Sequence, residues 1–378
     1  MENESVQREL ENYGFAQVVV ALAPPAAATT IIAKTDAGAA VLSHFLDRVP
    51  DAAGGVQAAF TKRRSKQAVP SGRQFPRLGV ALGYVDRTGM RRLSDDATVG
   101  AVHRAEPLSL IRPVMRRSAR SRSEMAWGLR HLKVRELWDQ GLTGKGVRVG
   151  HLDTGVDATH PAVSGRVVDF METDVTGDRV PGATPRDSDT EYGHGTHTAG
   201  IICGGKVGNI SIGVAPEADL LSGLVLDGSV GGNPLLRVFS GMEWALEKRV
   251  KILNMSLGFT GYSPFFLDVT RRLRQQGVLP VFAIGNEGVG TSRSPGNYAE
   301  ALSVGACDLS HQVPRFSSSM TFIRPDEPQQ PNVVAPGKSV VSAKPGGGVS
   351  SLDGTSVAAP HVAGVAAFLF EARPTASV

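Results

Sequence analysis

Four short apolar runs separated by helix-length segments constrain this chain more than any other feature. Val147–Leu152, Ala218–Leu226, Val250–Leu257 and Val278–Ile284 each read as a strand. Asn233-Pro234 starts a helix, with asparagine as cap and proline in the first turn. Leu235, Phe239, Met242 and Leu246 then fall on one face. Ser263-Pro264 repeats the start signal and Gly277 supplies a stop. Strands alternating with helices imply a parallel sheet covered on both faces, an α/β fold. In such sheets the ligand crevice lies beyond the carboxyl ends of the strands. Asp153 follows the first run, Ser256 and Gly258 end a later one, and Asn286 ends the next. They are expected on one rim.

The first hundred or so residues predict a separate small α+β unit. Phe15–Leu22 reads as a strand, and Leu78–Val85 and Ala105–Ile111 as two more. Ala39–Val49 has helical spacing through Val41, Leu42, Phe45 and Leu46. Between Ile111 and Ala126 stand five arginines (112, 116, 117, 120 and 122) and one acid, Glu124. A like-charged run of small polar residues cannot bury itself. It can be a solvated linker, a joint cleaved between domains, or a basic arm for nucleic acid. The expected division is 1–111, 112–126 and 127–378.

Composition narrows the classes. Of 378 residues, 41% are hydrophobic and 20% charged, so a sizeable core is expected. A net charge of +4 is too mild to argue for nucleic acid. Two cysteines, Cys203 and Cys307, make neither a disulfide framework nor a zinc cluster, and fit a reducing compartment. The start, MENESVQRELENYGF, is acidic where a secretory signal is basic and then apolar. No run reaches the roughly 20 apolar residues of a membrane span. A soluble, cytoplasmic protein without a membrane partner is the expectation.

The candidates for chemistry sit in glycine-bounded turns. Asp153, in HLDTGVD, can accept the Nδ1 proton of a histidine or can cap a turn. His194, in YGHGTHTAGII, can be a general base, a buried hydrogen-bonded residue or a metal ligand; no further metal-ligand spacing accompanies it. Ser356, in LDGTSVAAPHVAG, can be a nucleophile opening a helix or an ordinary cap. Pro360 then falls inside that helix, costly beyond the first turns. Asn286, in AIGNEG, can donate to an oxyanion or simply turn the chain. Peptide hydrolysis needs each of these parts: nucleophile, base, orienting carboxylate and oxyanion donor.

Taken in order, DTG, HGTHTAG, MSLG, GNEG and GTSVAAPHVAG make residues 127–378 resemble the subtilisin-like serine proteases. The resemblance implies a serine endopeptidase acting on protein or peptide substrates. Ser356 would attack the scissile carbonyl, His194 would act as general base and acid, and Asp153 would orient it. Asn286 and the Ser356 backbone N–H would hold the oxyanion; one such donor is worth about 3 kcal/mol, a magnitude that comes from a subtilisin asparagine. Extended substrate would pair with Ser256, Leu257 and Gly258 and with Gly231 and Gly232. Residues 10–112 more loosely resemble the family's propeptide, a cis inhibitor, through FAQVVVAL, LSDDATVGAV and AEPLSLIRP. Self-cleavage would then fall between Arg112 and Trp127. A permanent N-terminal domain is the other reading.

The chain departs from the family at three places. His160-Pro161 is followed by Ala162 where many relatives carry an acid that binds calcium, and CGGKVGN brings Lys206 and Val207 into the usual ligand loop. Calcium needs six to eight oxygens, so that site is expected to be absent; no cofactor is required and no metal is predicted. Aligning SPGNY puts Arg293 near the floor of the pocket for the residue before the cut bond. It would select an acidic residue there, be capped internally, or point to water. The chain ends at Val378, where relatives continue, so a missing segment or a partner chain is expected to complete that end. A catalytically idle binding module using the same cleft, and a nucleic-acid binder through the 112–122 arginines, are the readings from other classes.

Overall fold

The computed structural model describes residues 4–23, 38–47, 72–118, 123–227 and 233–378. The predicted parallel sheet has seven strands. In chain order they are β1 (Arg148–Asp153), β2 (Val167–Glu172), β3 (Asp219–Leu224), β4 (Ile252–Met255), β5 (Leu279–Ala283), β6 (Leu302–Cys307) and β7 (Val333–Pro336). Their order across the sheet is β7-β6-β5-β4-β1-β3-β2, every neighbouring pair parallel. The strand order reverses beside β1 and β4, which places the crevice at their carboxyl ends.

Helices cover both faces. One face packs under α1 (His194–Cys203) and α4 (Thr355–Ala372) through Val149, Ile202, Val281, Ala359 and Ala363. The other packs under α2 (Pro234–Glu247) and α3 (Leu267–Gln275) through Leu152, Leu253, Phe239, Met242 and Val269. α2 starts as its sequence dictates, with the Asn233 side chain accepting from Leu235 N. Ser263 makes no such cap; its proline opens a 3-10 turn, Pro264–Phe266, before α3 begins. Gly277 ends α3 at φ +75°, a conformation that costs glycine little.

The N-terminal unit has a four-stranded antiparallel sheet in the order Gly72–Phe75, Val80–Val85, Ala16–Leu22, Val99–Arg104. Side chains alternate along Ala16–Leu22. Val18, Val20 and Leu22 face the unit's own helices, with Val6, Leu10, Met90 and Leu93. Val19 faces the other way, into the cluster that holds Phe75, Leu78, Val80 and Leu82 against α2 and α3. Phe75 meets Phe239 at 5.3 Å between ring centres. Glu243 of α2 accepts from the backbone N–H of Arg77 and of Leu78.

One expectation needs correcting here. The predicted strand Ala105–Ile111 does not close the N-terminal sheet; Val99–Arg104 does, and only Ser109–Leu110 is extended into a ladder, with a different sheet. Within the arginine-rich joint the side chains of Arg112, Val114 and Met115 are exposed while the backbone is paired. Met115–Ser118 forms a strand paired antiparallel with Ser350–Asp353, because the cleft offers open backbone groups on both of its sides.

Candidate active site

β1 delivers Asp153 at its last position, fully buried. Gly193, at φ +63°, turns the chain into α1 so that His194 is the first helical residue. His194 Nδ1 lies 2.7 Å from Asp153 Oδ1, which also accepts from Thr154 N at 2.8 Å. With Nδ1 donating to the carboxylate, Nε2 is the free basic nitrogen. It has no hydrogen-bond partner, and neither does the buried Ser356 Oγ. Hydrogen bonds of this kind tighten once substrate is bound. Burial disfavours charge on His194, but the Asp153 carboxylate outweighs it and holds the imidazole above its ordinary pKa. Burial likewise opposes charge on Asp153, and His194 beside it keeps its pKa low.

Ser356 occupies the second position of α4. Pro360 lacks an N–H, so the Ser356 carbonyl loses its partner within the helix. Ser256 Oγ supplies the missing donor at 2.8 Å. The proline is thus tolerated beyond the first turn, and the strand-end serine is tied to the helix. Gly354 leaves room here: a Cβ on it would stand 3.0 Å from Ser356 Oγ and 3.1 Å from Asn286 Nδ2.

Asn286 follows Gly285, whose φ of +122° makes the turn after β5. Its Oδ1 accepts from Thr355 N at 2.8 Å, which aims Nδ2 into the cleft. There Nδ2 donates to the carbonyl of Arg112 at 2.9 Å. The chain's own residues 109–118 therefore fill the cleft. Leu110 and Ser109 pair antiparallel with Leu257 and Gly258, and Ile111 N donates to Ser256 O at 3.0 Å. On the far side Val114 N donates to Asp353 O at 2.8 Å, and Met115–Ser118 continues the ladder. The Arg112 side chain turns outward to Glu191, 3.6 Å away.

The structure pairs Asp153 with His194, and it gathers Ser356, Asn286 and Ser256 beside Leu257 and Gly258 around the strap. Gly231 and Gly232 lie outside the described residues. Arg293 is next to Gly258, with its Cβ 3.6 Å from where a Gly258 Cβ would be. Its guanidinium is paired with Glu287 at 2.7 Å, side chain 17% exposed, and touches Ser109 Oγ at 3.2 Å. Of the three expectations for Arg293, this is the internal cap. Sequence reasoning missed Glu287 as that cap, and it missed Ser350–Asp353 as the receiving strand. It also passed over His151, two residues before Asp153 and therefore on the same side of β1.

Among the described residues no group of three or more His, Cys, Asp or Glu could hold a metal ion. The helix long and apolar enough to cross a membrane is α4, and 72% of that window is buried inside the protein. It is a core helix.

The Subtilase family profile matches residues 144–378. The chain is 34% identical over 254 residues to the major intracellular serine protease of Bacillus subtilis, covering 65% of this chain and 75% of that protein. It is 35% identical over 255 residues to an intracellular serine protease of Paenibacillus polymyxa, covering 65% and 73%. Subtilisin E of Bacillus subtilis is 32% identical over 307 residues, covering 80% and 73%. The parallel sheet, the motif order and these likenesses lead to one conclusion: this chain belongs to the subtilase family and is a serine endopeptidase acting on protein substrates, with chemistry that needs no cofactor.

Proposed function

We propose that the chain is a self-inhibited endopeptidase in which Asp153, His194 and Ser356 form the triad, Asn286 supplies an oxyanion donor, and residues 1–111 act as a cis inhibitor. The observation that carries the reading is Asn286 Nδ2 donating to the Arg112 carbonyl while the same strap is zipped to Leu257–Gly258 and to Ser350–Asp353. A substrate would be gripped by these groups. Ser356 attacks the carbonyl, His194 takes its proton and later returns it to the leaving nitrogen, and Asp153 holds the imidazole in place. The Asn286 amide, already aimed by Thr355, stabilises the negative oxygen without reorganising.

In this reading the joint 112–126 is the processing region. Arg112–Pro113 is the bond held at Asn286, and Pro113 Cα would stand 3.6 Å from a Gly354 Cβ. The loss of the usual calcium site beside Ala162 is supported by the Ala162 carbonyl, which accepts from Gly205 N at 2.7 Å. A cytoplasmic location is supported by two relatives named as intracellular serine proteases.

The test is the intact mass of the purified wild type beside Ser356→Ala. Cleavage of the wild type between Arg112 and Trp127, with the mutant whole, is expected. Cleavage of both chains at the same place would assign the cut to a contaminant. A whole wild type that also ignores a fluorophosphonate probe and added protein substrate would end the triad reading.

A further inference from the structure

The peptidase mechanism leaves one buried imidazole unused. His151 is fully buried in β1 and bridges two other elements. Its Nδ1 is 3.0 Å from Ser222 Oγ of β3, and its Nε2 is 2.8 Å from Thr198 Oγ1 of α1. Thr198 Oγ1 also reaches the carbonyls of His194 at 3.0 Å and Gly195 at 3.1 Å. A hydroxyl has one proton and a carbonyl can only accept, so Thr198 donates to the helix backbone. Its oxygen must therefore accept from His151, which makes Nε2 the protonated nitrogen. Nδ1 then accepts from the Ser222 hydroxyl.

This tautomer has a consequence for the catalytic pair. The Nε2 edge stands 3.9 Å from Asp153 Oδ2. That oxygen is buried with no hydrogen-bond partner, while Oδ1 serves His194 and Thr154. Burial depresses the His151 pKa to about 4, so the ring stays neutral at working pH. The charged groups acting on it are Asp153 from its own strand and His194 from α1; Ser222 of β3 and its β4 neighbour Asn254 are neutral. Asp187 and Asp189 act on His194.

We propose that His151 is a positioning residue of the active site: through Thr198 it fixes the first turn of the helix that carries His194, and its Nε2–H dipole faces the bare oxygen of Asp153. The proposal rests on Asp153 and His194 being the working pair. A buried histidine that only fills space would leave that pair's chemistry unchanged when replaced.

Two measurements on the full-length chain decide it. In nitrogen-15-labelled Ser356→Ala protein at neutral pH, long-range proton–nitrogen NMR should show His151 protonated at Nε2 and bare at Nδ1. A ring protonated at Nδ1 overturns the proposal, whether or not the wild type cleaves peptides. The second measurement compares active-site-titrated wild type with His151→Leu and His151→Gln. His151→Leu should lower kcat roughly tenfold at unchanged KM, the loss typical of a disturbed supporting contact. The acid limb of kcat/KM should move to higher pH by several tenths of a unit, because a carboxylate stripped of this nearby dipole holds the His194 proton harder. His151→Gln, which keeps an N–H, should restore most of both. A limb that stays in place or moves down, with activity lost only in proportion to folded protein, overturns the proposal. If His151→Leu fails to fold, Thr198→Val gives the same reading. It removes the acceptor that sets the tautomer and the tie to the helix that carries His194, and should also raise the limb; an unmoved limb again overturns it. A wild type without activity sinks the peptidase reading alone, since the NMR result does not depend on turnover.

Discussion

The N-terminal and peptidase regions are both layered around a sheet, but they bury their sheets differently. The peptidase region covers both faces of its seven strands with its own helices, α1 and α4 on one side and α2 and α3 on the other. Among the described residues the N-terminal sheet has its own helices on one face only. Its other face, with Val19, Phe75, Leu78, Val80 and Leu82, lies on α2 and α3 and shares one cluster with them. A sheet needs both faces covered when both are apolar, so the described part of the N-terminal unit completes its core on the peptidase region. An inhibitor built in this way loses its second core face once it separates.

The sharpest way to break this dependence is Phe239→Ala. Phe239 is fully buried and stacks on Phe266 at 5.1 Å while meeting Phe75 at 5.3 Å. Truncating such a phenylalanine costs about 3–5 kcal/mol. Urea unfolding of the Ser356→Ala chain followed by two probes, one in each region, should show the N-terminal unit melting first in the variant. Coincident transitions would mean that the two regions share stability more evenly than their cores suggest.

Acid should strike the other region. His151, His197 and His361 are buried in the peptidase region, and burial lowers their pKa values to about 4, 3 and 4. Each folded pKa lies below the unfolded value of about 6.5, so the stability these groups carry is present above pH 6.5 and is lost as pH falls toward 4. Asp187, raised by burial to about 6, and Glu243, also raised by burial, take up protons in the folded state and work in the opposite direction. The three buried histidines outweigh Asp187 and Glu243, so the net effect is a loss of stability as the pH falls. The urea midpoint should fall between pH 6.5 and pH 4.5, with the peptidase region's transition moving more. A flat midpoint would mean that these histidines find protons and water that the packing denies them.

The two regions also differed in how much could be read from sequence. The peptidase site was legible because each of its parts needs a special backbone that leaves a trace. Gly193 turns the chain before His194, Gly285 precedes Asn286, and Gly354 clears space by Ser356. The strands β1, β3, β4 and β5 were found within a few residues because parallel strands buried on both faces read as unbroken apolar runs. The N-terminal sheet left weaker traces. Gly72–Phe75 is too short and polar to stand out, and Val99–Arg104 is partly exposed with Gly100 within it. The backbone pairing of the arginine-rich joint escaped notice for a related reason. Composition measures what a segment can bury by itself, whereas the cleft accepts the backbone of 109–118 whatever the side chains are. The network of His151 needed three elements, β1, β3 and α1, to be placed before its partners could be seen.

A smaller effect should follow from Glu243→Gln. The Glu243 carboxylate accepts from Arg77 N at 2.9 Å and from Leu78 N at 3.1 Å, and pairs with the Arg77 side chain. Oε2 alone lies 3.1 Å from both N–H groups, so an amide oxygen there can still accept from both, but two charge-assisted bonds become neutral ones and the Arg77 ion pair is lost, at a cost of about 1–3 kcal/mol. Hydrogen exchange at the amides of Arg77 and Leu78 should quicken by roughly tenfold or more in Ser356→Ala carrying this change. Amides in β1 to β7 should not change. Faster exchange throughout the peptidase sheet would instead mark Glu243 as a support of α2 itself.

The least disruptive change reaches the boundary between the regions at Arg293. Its guanidinium is paired with Glu287 and touches Ser109 of the strap, so it belongs to both regions at once. Removing it in Arg293→Gly leaves Glu287 half-exposed without its cation, with a side chain 34% open to solvent. A partly exposed pair is worth about 1 kcal/mol or less, so stability should hardly move. Selectivity should move instead, because the net charge beside Gly258 goes from balanced to negative. A peptide library varied at the residue before the cut bond should gain lysine and arginine by several-fold and lose glutamate and aspartate. An unchanged profile would place the pair outside substrate reach and leave Arg293 with one task, holding Ser109 of the strap.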